Sequence, residues 1–357
     1  MAERAVAPIY VAGKWKLVVP PIALAQLNDF ATRIFLAAGA PPDIARQVGE
    51  SLVTSDLYGV RSHGLQLCIA YLARIRAGQL NPQARPCVAT ESQATALIDG
   101  QRAFGQVVAA HAAALAIRKA QQHGFAIVCA NNCNHVGRIG AYPEMIAQAD
   151  LIGFAQVNAT TRLVAPHGGL HSRFGTNPLA FAVPVPGDHP VLMDFTTSAV
   201  AANKLRVFAN RGATIPLGWI LDRHGNPSSD PNAFFDGGYL LPMGAHKGHG
   251  LLIMVEVLAG LLSGSGSGML GQASGANGVF LMAIDPAAFR PADEFSADMR
   301  RLVDTLRASP ARDGAGSVLV PGDPEAQAAA DQLRDGIEYD DVTWQNILRA
   351  AESVGVK

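Results

Sequence analysis

The spacing of apolar residues divides the chain into a helical start, a mixed middle and a helical end. Apolar residues recur at helical intervals in 20–39, 41–59 and 65–78, and each stretch is followed by or closes at a glycine. This pattern is typical of amphipathic helices, which commonly end at glycine. The sequence therefore predicts a mainly helical region over the first ninety residues.

The middle of the chain changes to short apolar runs bounded by Asn, Gly and Pro, which indicate buried β-strands. The runs are 94–100, 125–132, 151–158, 178–184, 190–195 and 278–286. An alanine-rich helix is predicted over 104–124. Strands mixed with helices favour an α/β domain, predicted over 91–286.

Helical spacing returns towards the C-terminus. Amphipathic helices are predicted over 296–309 and 341–356, and 323–333 starts with Asp323 as N-cap followed by Pro324. The two ends are therefore predicted to form one discontinuous, mainly helical domain from 1–90 and 287–357.

Composition and charge exclude some classes of function. The net charge is −1 and basic residues do not cluster, so nucleic acid is not expected as a partner. The apolar run 250–262 is too short to span a membrane. Four cysteines give no disulfide framework, and we expect a cytoplasmic protein. Only 16% of residues are charged, against about a quarter in typical soluble chains, which favours a surface covered by another subunit.

The stretch SDLYGVRSHG (55–64) places Ser62 beside His63. A serine hydrolase needs its hydroxyl bonded to the imidazole, and neighbouring side chains usually point in different directions. No GxSxG elbow surrounds Ser62. His63 alone is the better candidate, as a general acid or base near neutral pH. The alternative is a histidine that caps a turn.

Metal and Rossmann-type sites are weaker hypotheses. Cys129, Cys133 and His135 match no zinc spacing well. The histidine pairs in PHGGLH and HKGH have ligand-like spacing but no partnering acidic cluster, so no metal is expected. GSGSGMLG (264–271) contains GxGxxG, but a helix and not a strand precedes it. A flexible surface loop is the preferred interpretation there.

Three glycine-rich clusters in the mixed region favour binding of an anion. They are NCNHVGRIGAYPEM (132–145), GGLHSRFGTNPLAF (168–181) and LPMGAHKGHG (241–250). Backbone N–H groups at such turns, helped by Lys247, could contact phosphates. Together the clusters suggest a dinucleotide site without a Rossmann fingerprint. Asp194 follows a strand and could hold an imidazole, or it could be a satisfied turn carboxylate.

These segments resemble the malate/L-lactate/L-sulfolactate dehydrogenase family, which also includes ureidoglycolate, diketogulonate and cyclic imino acid enzymes. The resemblance rests on SDLYGVRSHG, NHVGRIGAY, GTNPLAFAVP, MDFTTS, HKGHGLLIMVEVLAG and VLVPGDPEA, and runs in order from about residue 20 to the C-terminus. It implies an α/β fold with a non-Rossmann NAD(P)-binding domain and a mixed β-sheet, and a homodimer that completes the active site.

The resemblance also implies site residues. His63 would donate a proton to the substrate carbonyl or imine, supported by Ser62 and Asp194. The cofactor would be bound by three segments, made of His135, Val136, Gly137, Arg138 and Ile139; of Gly175, Thr176 and Asn177; and of His246, Lys247 and Gly248.

The chain departs from the family pattern around the substrate. The arginine that usually follows the histidine by four positions is Leu67, and the arginine of the usual DLRG is Tyr58. Replacing a bidentate guanidinium with leucine is not conservative. Either Arg61 or Lys204 binds the substrate carboxylate instead, or the substrate differs.

The expected function is therefore NAD(P)-dependent interconversion of a small 2-oxo acid or cyclic imino acid with its 2-hydroxy or amino acid. Arg173 and His171 favour NADP slightly. Alternatives are a specialised substrate, including a ketimine, or a cofactor-binding protein without turnover.

Overall fold

The computed structural model describes residues 8–11, 14–17, 20–159, 161–270, 277–314 and 316–357. They form two compact units. The helical unit combines the chain up to Ala84 with Asp323–Lys357, and the sheet unit is Arg85–Gly322.

The helical unit joins both ends of the chain. It contains α1 (Leu24–Ala37), α2 (Pro42–Leu57), α3 (Cys68–Arg76), α10 (Asp323–Asp335), α11 (Asp341–Glu352) and the hairpin of β1 (Pro8–Val11) and β2 (Lys14–Leu17). Ile22 and Ile337 exchange backbone hydrogen bonds of 3.0 and 2.9 Å, which connects the N-terminal and C-terminal segments.

Helices α1 and α2 pack closely because Gly49 lies against α1. A Cβ built there would be 3.0 Å from Thr32 N and 3.1 Å from the Ala31 methyl. Apolar side chains at helical spacing, such as Leu27, Ile34 and Leu52, are fully buried between the helices. Their burial is the main source of stability of this unit.

The sheet unit is built on a seven-stranded mixed sheet. Its order is β3 (Cys87–Glu91), β4 (Thr95–Asp99), β5 (Phe125–Cys133), β12 (Asn277–Ile284), β6 (Ile152–Asn158), β7 (Leu179–Val183) and β8 (Val191–Phe195). Within this sheet only β4 and β5 pair in parallel. A Rossmann sheet is mostly parallel. The predicted α/β class with a mixed sheet is therefore confirmed.

Helices cover both faces of this sheet. Phe280 and Cys129 face Val255 and Ala259, which belong to α8 (His246–Val255) and the π-helical turn Glu256–Leu261 that continues it. On the other face, Gly153 approaches Pro143 of α5 (Ala141–Ala147), which packs beside α4 (Gly105–His123). Burial on both faces explains why the strand sequences are nearly continuous apolar runs.

A small lobe of the sheet unit lies outside the predicted elements. It consists of β9 (Ile220–Leu221), β10 (Pro227–Ser228) and β11 (Tyr239–Leu240) with α6 (Ala202–Asn210) and α7 (Asn232–Phe235). Its core includes Leu205, Ile220 and Leu252. Two-residue strands are too short for an alternating pattern, so the sequence did not indicate them.

Helix α9 (Ala292–Arg307) groups with the sheet unit, whereas the sequence assigned 287–322 to the helical domain. Its Val303 packs with Val185 and Val320, and Arg307 Nη1 lies 2.5 Å from Asp188 Oδ2. The amphipathic pattern predicted the helix correctly, but such a pattern does not indicate which core the apolar face covers.

The interpretation of 264–271 as a surface loop is wrong for 265–267, whereas Gly264, Met269 and Leu270 are exposed. Ser265, Gly266 and Ser267 are buried, and the Asn158 side chain donates a 2.9 Å hydrogen bond to the Gly266 carbonyl. Gly271, the last glycine of the GxGxxG match, lies outside the described residues.

Candidate active site

A 3₁₀ turn, Arg61–His63, carries the serine–histidine pair at the end of α2. Ser62 Oγ lies 2.9 Å from His63 Nδ1, and both side chains are half-buried. The expectation that neighbouring side chains diverge is therefore wrong here, because the tight turn brings them together. The serine fixes the orientation of the imidazole.

The carboxyl group of Asp56 lies beneath this turn and is almost fully buried. Its Oδ2 accepts hydrogen bonds from Leu65 N at 2.7 Å and from the Tyr339 hydroxyl at 2.5 Å. Burial raises the pKa of Asp56 to about 6, and these two donors with the nearby Arg61 oppose that rise. Asp56 is therefore mostly ionised at neutral pH, although its burial disfavours the ionised form.

Of the three residues predicted to contact substrate in this segment, Arg61 has partners within the helical unit. Its Nη2 donates to Gln332 Oε1 at 2.6 Å, and its guanidinium lies 5.3 Å from the centre of the Tyr339 ring. Tyr58 is the C-cap of α2, and Leu67 closes the 3₁₀ turn Leu65–Leu67; both are half-buried.

The NHVGR turn connects β5 to α5 in the sheet unit, as predicted. Gly137 has φ of 74°, and Val136, Arg138 and Ile139 are buried, while His135 is half-buried. Arg138 Nη2 forms a buried 2.6 Å ion pair with Glu144 Oε2. Side chains of this turn therefore mostly stabilise the turn itself, which leaves the backbone to contact a ligand.

Asp194, at the end of β8, accepts a 2.8 Å hydrogen bond from the amide of Gly140 at the start of α5. A side chain at position 140 would lie 2.7 Å from Asp194 Oδ2, so the close approach requires glycine. Asp194 and His63 belong to different units, and a direct role of Asp194 towards His63 stays a prediction.

The GTN segment enters β7 through a crowded turn. A Cβ on Gly175 would be 2.0 Å from the Ala159 carbonyl oxygen. The Asn177 amide is fully buried and donates to Glu256 Oε1 at 2.9 Å, while Thr176 offers its carbonyl to Thr197 N at 3.1 Å. Asn177 thus joins this segment to the π turn after α8.

The HKG segment opens α8. His246 and Lys247 are exposed, whereas Gly248 is buried. The preceding Ala245 has φ of 56° and ψ of −120°. Such a conformation costs a non-glycine residue about 1–3 kcal/mol and is commonly found at functional sites. The strain lies directly before the cationic first turn of a ten-residue helix.

A cleft of about 690 Å³ lies beside this helix start, within the sheet unit. Its walls include glycines from three loops, Trp219 and the turn Met243–Ala245. Lys204, the other proposed carboxylate partner, is exposed and lies over Trp219, 5.7 Å from the ring centre. The volume lies in the range of small-molecule sites.

Comparisons with known proteins identify the family. The sequence model described as malate/L-lactate dehydrogenase matches residues 22–348. The chain belongs to this family. It is 37% identical to an L-lactate dehydrogenase of Cupriavidus necator over 343 residues, which cover 94% of this chain and 98% of the relative. It is also 33% identical to a Δ1-pyrroline-2-carboxylate/Δ1-piperideine-2-carboxylate reductase of Pseudomonas syringae pv. tomato, covering 88% of this chain and 92% of that one.

The fold agrees with this assignment. The structure of malate dehydrogenase from Pyrococcus horikoshii superposes with a TM-score of 0.86 at 32% identity, covering 94% of this chain and 96% of that one. The protein is therefore an oxidoreductase, and members of such dehydrogenase families typically use a nicotinamide cofactor. The predicted family and enzyme class are confirmed.

Sequence reasoning missed the residues that support the dehydrogenase's histidine turn. Asp56, Gln332 and Tyr339 were not singled out. An acidic residue on the apolar side of α2 was the available signal for Asp56, because buried charges are rare unless they have partners. No local pattern indicated Tyr339, which contacts Asp56 from 283 positions away in the chain.

The two cysteines of the weak metal hypothesis, Cys129 and Cys133, are buried. Burial raises the pKa of the Cys133 thiol to about 12. The described residues contain no group of three or more His, Cys, Asp or Glu that could hold a metal ion. No described helix is long and apolar enough to cross a bilayer.

Proposed function

We propose that this enzyme reduces a small 2-oxo acid or cyclic imino acid with NADPH, and oxidises the product in reverse, with His63 as the proton donor. The observation that carries the proposal is the 2.9 Å contact between Ser62 Oγ and His63 Nδ1. It orients an imidazole, the side chain best suited to exchange a proton near neutral pH. The names of the relatives support the substrate class.

In this mechanism the Ser62 hydroxyl is hydrogen-bonded to Nδ1 of His63, so the donated proton comes from Nε2 of the imidazolium. It goes to the carbonyl oxygen or imine nitrogen, where negative charge develops as the adjacent carbon is reduced. In the oxidation direction His63 accepts the same proton. Asp194, which accepts a hydrogen bond from the Gly140 amide, is proposed to favour the charged imidazolium, as the family resemblance implies.

A nicotinamide dinucleotide, when bound, supplies the hydride that reduces the carbon. The sheet unit fits such a group: it offers a cleft of about 690 Å³ next to a cationic helix start. Lys247 and the first N–H groups of α8 would hold phosphate oxygens. Backbone groups at 135–139 and 175–177 would hold other parts of the cofactor.

The preference for NADP rests on Arg173. This side chain is exposed, and its guanidinium has no hydrogen bond or ion pair with any residue that the structure describes. An unengaged guanidinium beside the His167–Leu170 cleft loop suits a 2′-phosphate. His171, by contrast, has its Nδ1 3.0 Å from the Tyr239 hydroxyl and is a weaker candidate.

A specialised substrate is the second candidate, favoured by the contacts of Arg61. Its bond to Gln332 and its position over Tyr339 make it a poor replacement for the arginine that Leu67 displaces. An apolar side chain at this point suits a substrate whose carboxylate binds elsewhere, or one with an apolar ring. Cyclic imino acids meet the second description.

A homodimer is also proposed, on the outer face of α8 and the π turn. Ile253, Val257 and Leu261, spaced by four residues, are 47%, 45% and 46% exposed. The opposite face of this helix is buried against the sheet. An exposed apolar stripe of this kind usually marks a protein interface, and a second copy of the chain would bury it.

A substrate panel tests the proposal. Pyruvate, oxaloacetate, sulfopyruvate, Δ1-pyrroline-2-carboxylate and Δ1-piperideine-2-carboxylate would each be assayed with NADH and NADPH by absorbance. We expect turnover with at least one compound, faster with NADPH, and better with the cyclic imines than with pyruvate. Turnover of pyruvate or oxaloacetate above that of the imines would contradict the specialised-substrate proposal.

The alternative without turnover predicts another result. In that case NADPH would raise the melting temperature, yet no compound in the panel would oxidise it. The retained Ser62, His63, Asp194 and Lys247 count against this outcome.

A further inference from the structure

The proposed chemistry assigns no task to Asp56, although its carboxyl group is the most buried acid near His63. Asp56 lies in the last turn of α2 and is 1% exposed. Its position seven residues before His63 would leave it remote in an extended chain. The fold instead places it directly beneath the histidine turn.

The carboxylate contacts the backbone just after His63 at two successive residues. Leu65 N donates to Oδ2 at 2.7 Å. The intervening Gly64 passes so close that a Cβ there would lie 1.8 Å from Oδ1. The two residues after the imidazole therefore rest on this one side chain.

The residue two positions before His63 faces the same group. Arg61 Nη1 lies 3.8 Å from Asp56 Oδ1, and Arg61 Nη2 donates to Gln332 Oε1. The Gln332 amide in turn donates to the carbonyls of Asp56 and Leu57, at 3.1 and 2.8 Å. The histidine turn is thus held on both sides by the end of α2 and by α10.

Tyr339, just before α11, completes the support by donating its hydroxyl to Asp56 Oδ2 at 2.5 Å. The charged and titratable groups that face Asp56 are Arg61, Tyr339 and Cys68. Burial raises the pKa of Asp56 to about 6 despite these donors. Well-packed apolar groups are often as stable as a buried ion pair, so stability alone does not account for a carboxylate at this position.

We propose that Asp56 is a positioning residue for His63: its carboxylate fixes the backbone at Gly64 and Leu65, and thereby the contact between Ser62 and the imidazole. This inference rests on the proposed role of His63 as proton donor. Asp56 acts through hydrogen bonds to the turn and does not touch the reacting atoms.

The test compares Asp56→Ala, which removes the acceptor, with Asp56→Asn, which keeps an acceptor but not the charge. Ile34→Val is the matched control, because Ile34 is fully buried in α1 of the same unit and takes no part in the hydrogen bonds and ion pair described above. Turnover is measured at pH 8 with the best substrate of the panel. The assay temperature is kept well below the melting temperature of each variant. The imidazole signals of His63 are followed by NMR, assigned by their loss in His63→Ala.

We expect Asp56→Ala to lower kcat 10- to 100-fold with the NADPH Kd within twofold, and to shift the His63 imidazole signals and their titration midpoint. Asp56→Asn should recover most of kcat, and Ile34→Val should lower only the melting temperature. If Asp56→Ala does not fold, Tyr339→Phe serves in its place, with a two- to fivefold loss of kcat and the same NMR change.

Unchanged kcat and unchanged His63 signals in folded Asp56→Ala or Tyr339→Phe would overturn the inference. So would equal losses in Asp56→Asn and Asp56→Ala, since these would mean that charge and not the held backbone matters. The His63→Ala assay separates the two proposals: if it retains turnover, the proton-donor role is wrong, while the NMR comparison still decides whether Asp56 holds His63.

Discussion

At residue 67, an apolar side chain occupies the position that the family pattern gives to arginine. Leu67 ends the 3₁₀ turn that follows the histidine, on the segment supported by Asp56. Arg61 is engaged with Gln332 and Tyr339. We therefore propose Leu67 as the position that most directly affects substrate choice.

We expect Leu67→Arg to raise kcat/KM for pyruvate about 10- to 100-fold, because a hydrogen bond to a charged group contributes roughly 1.5–3 kcal/mol. Ile69→Arg, two residues on at an exposed position, is the control and should have no effect. Initial rates of NADPH oxidation across the panel measure both. A folded Leu67→Arg enzyme without any gain would show that position 67 does not determine carboxylate binding.

At the residue scale, the sequence singled out contiguous motifs. Ser62 and His63 were chosen because they are adjacent in a distinctive stretch; their mutual contact was not expected, and their catalytic role stays a prediction. Asp56, Gln332 and Tyr339 were missed because their association depends on bringing both ends of the chain together. Long-range polar contacts of this kind leave no periodic pattern in the sequence.

At the scale of elements, the start of α8 depends on a close backbone approach. A Cβ on Gly248 would be 2.0 Å from the Met243 carbonyl oxygen and 2.8 Å from its amide nitrogen. Any larger residue must displace the first turn, where Lys247 stands. The glycine therefore sets the position of the proposed phosphate contact.

Gly248→Ala should raise the Kd of NADPH at least tenfold, as measured by calorimetry or fluorescence. Gly250→Ala is the matched control on the same helix, since nothing lies within 4 Å of a Cβ there. It should bind NADPH normally and be more stable, because alanine exceeds glycine in helix propensity by about 1 kcal/mol. Equal Kd values for both variants would place the cofactor away from α8.

The long elements were predicted well because burial imposes a period on their sequences. Strand β6 and helix α4 fall within one residue of the predicted bounds. The order of the sheet could not be predicted, since β12 inserts between β5 and β6 from more than a hundred positions along the chain. Local apolar patterns identify strands but not their neighbours.

At the scale of the whole molecule, the low charged fraction and the exposed stripe on α8 point to association. Val257 lies at the middle of that stripe, and its substitution by glutamate would place a charge in the buried centre of a dimer interface. Val257→Glu should therefore shift the mass in light scattering from dimer to monomer. Val342→Glu, at a 70% exposed site on α11, should remain dimeric. A monomeric wild-type enzyme at micromolar concentration would contradict the proposed homodimer.

The central claim is that this oxidoreductase uses His63 as its proton donor, and the turnover of His63→Ala tests it most directly. With the best substrate of the panel at neutral pH, we predict that kcat falls roughly 10²–10⁴-fold, the usual loss for a positioned acid. The NADPH Kd should stay within twofold of wild type, and His123→Ala, at the exposed end of α4, should keep full activity. Near-wild-type kcat in His63→Ala would contradict the account.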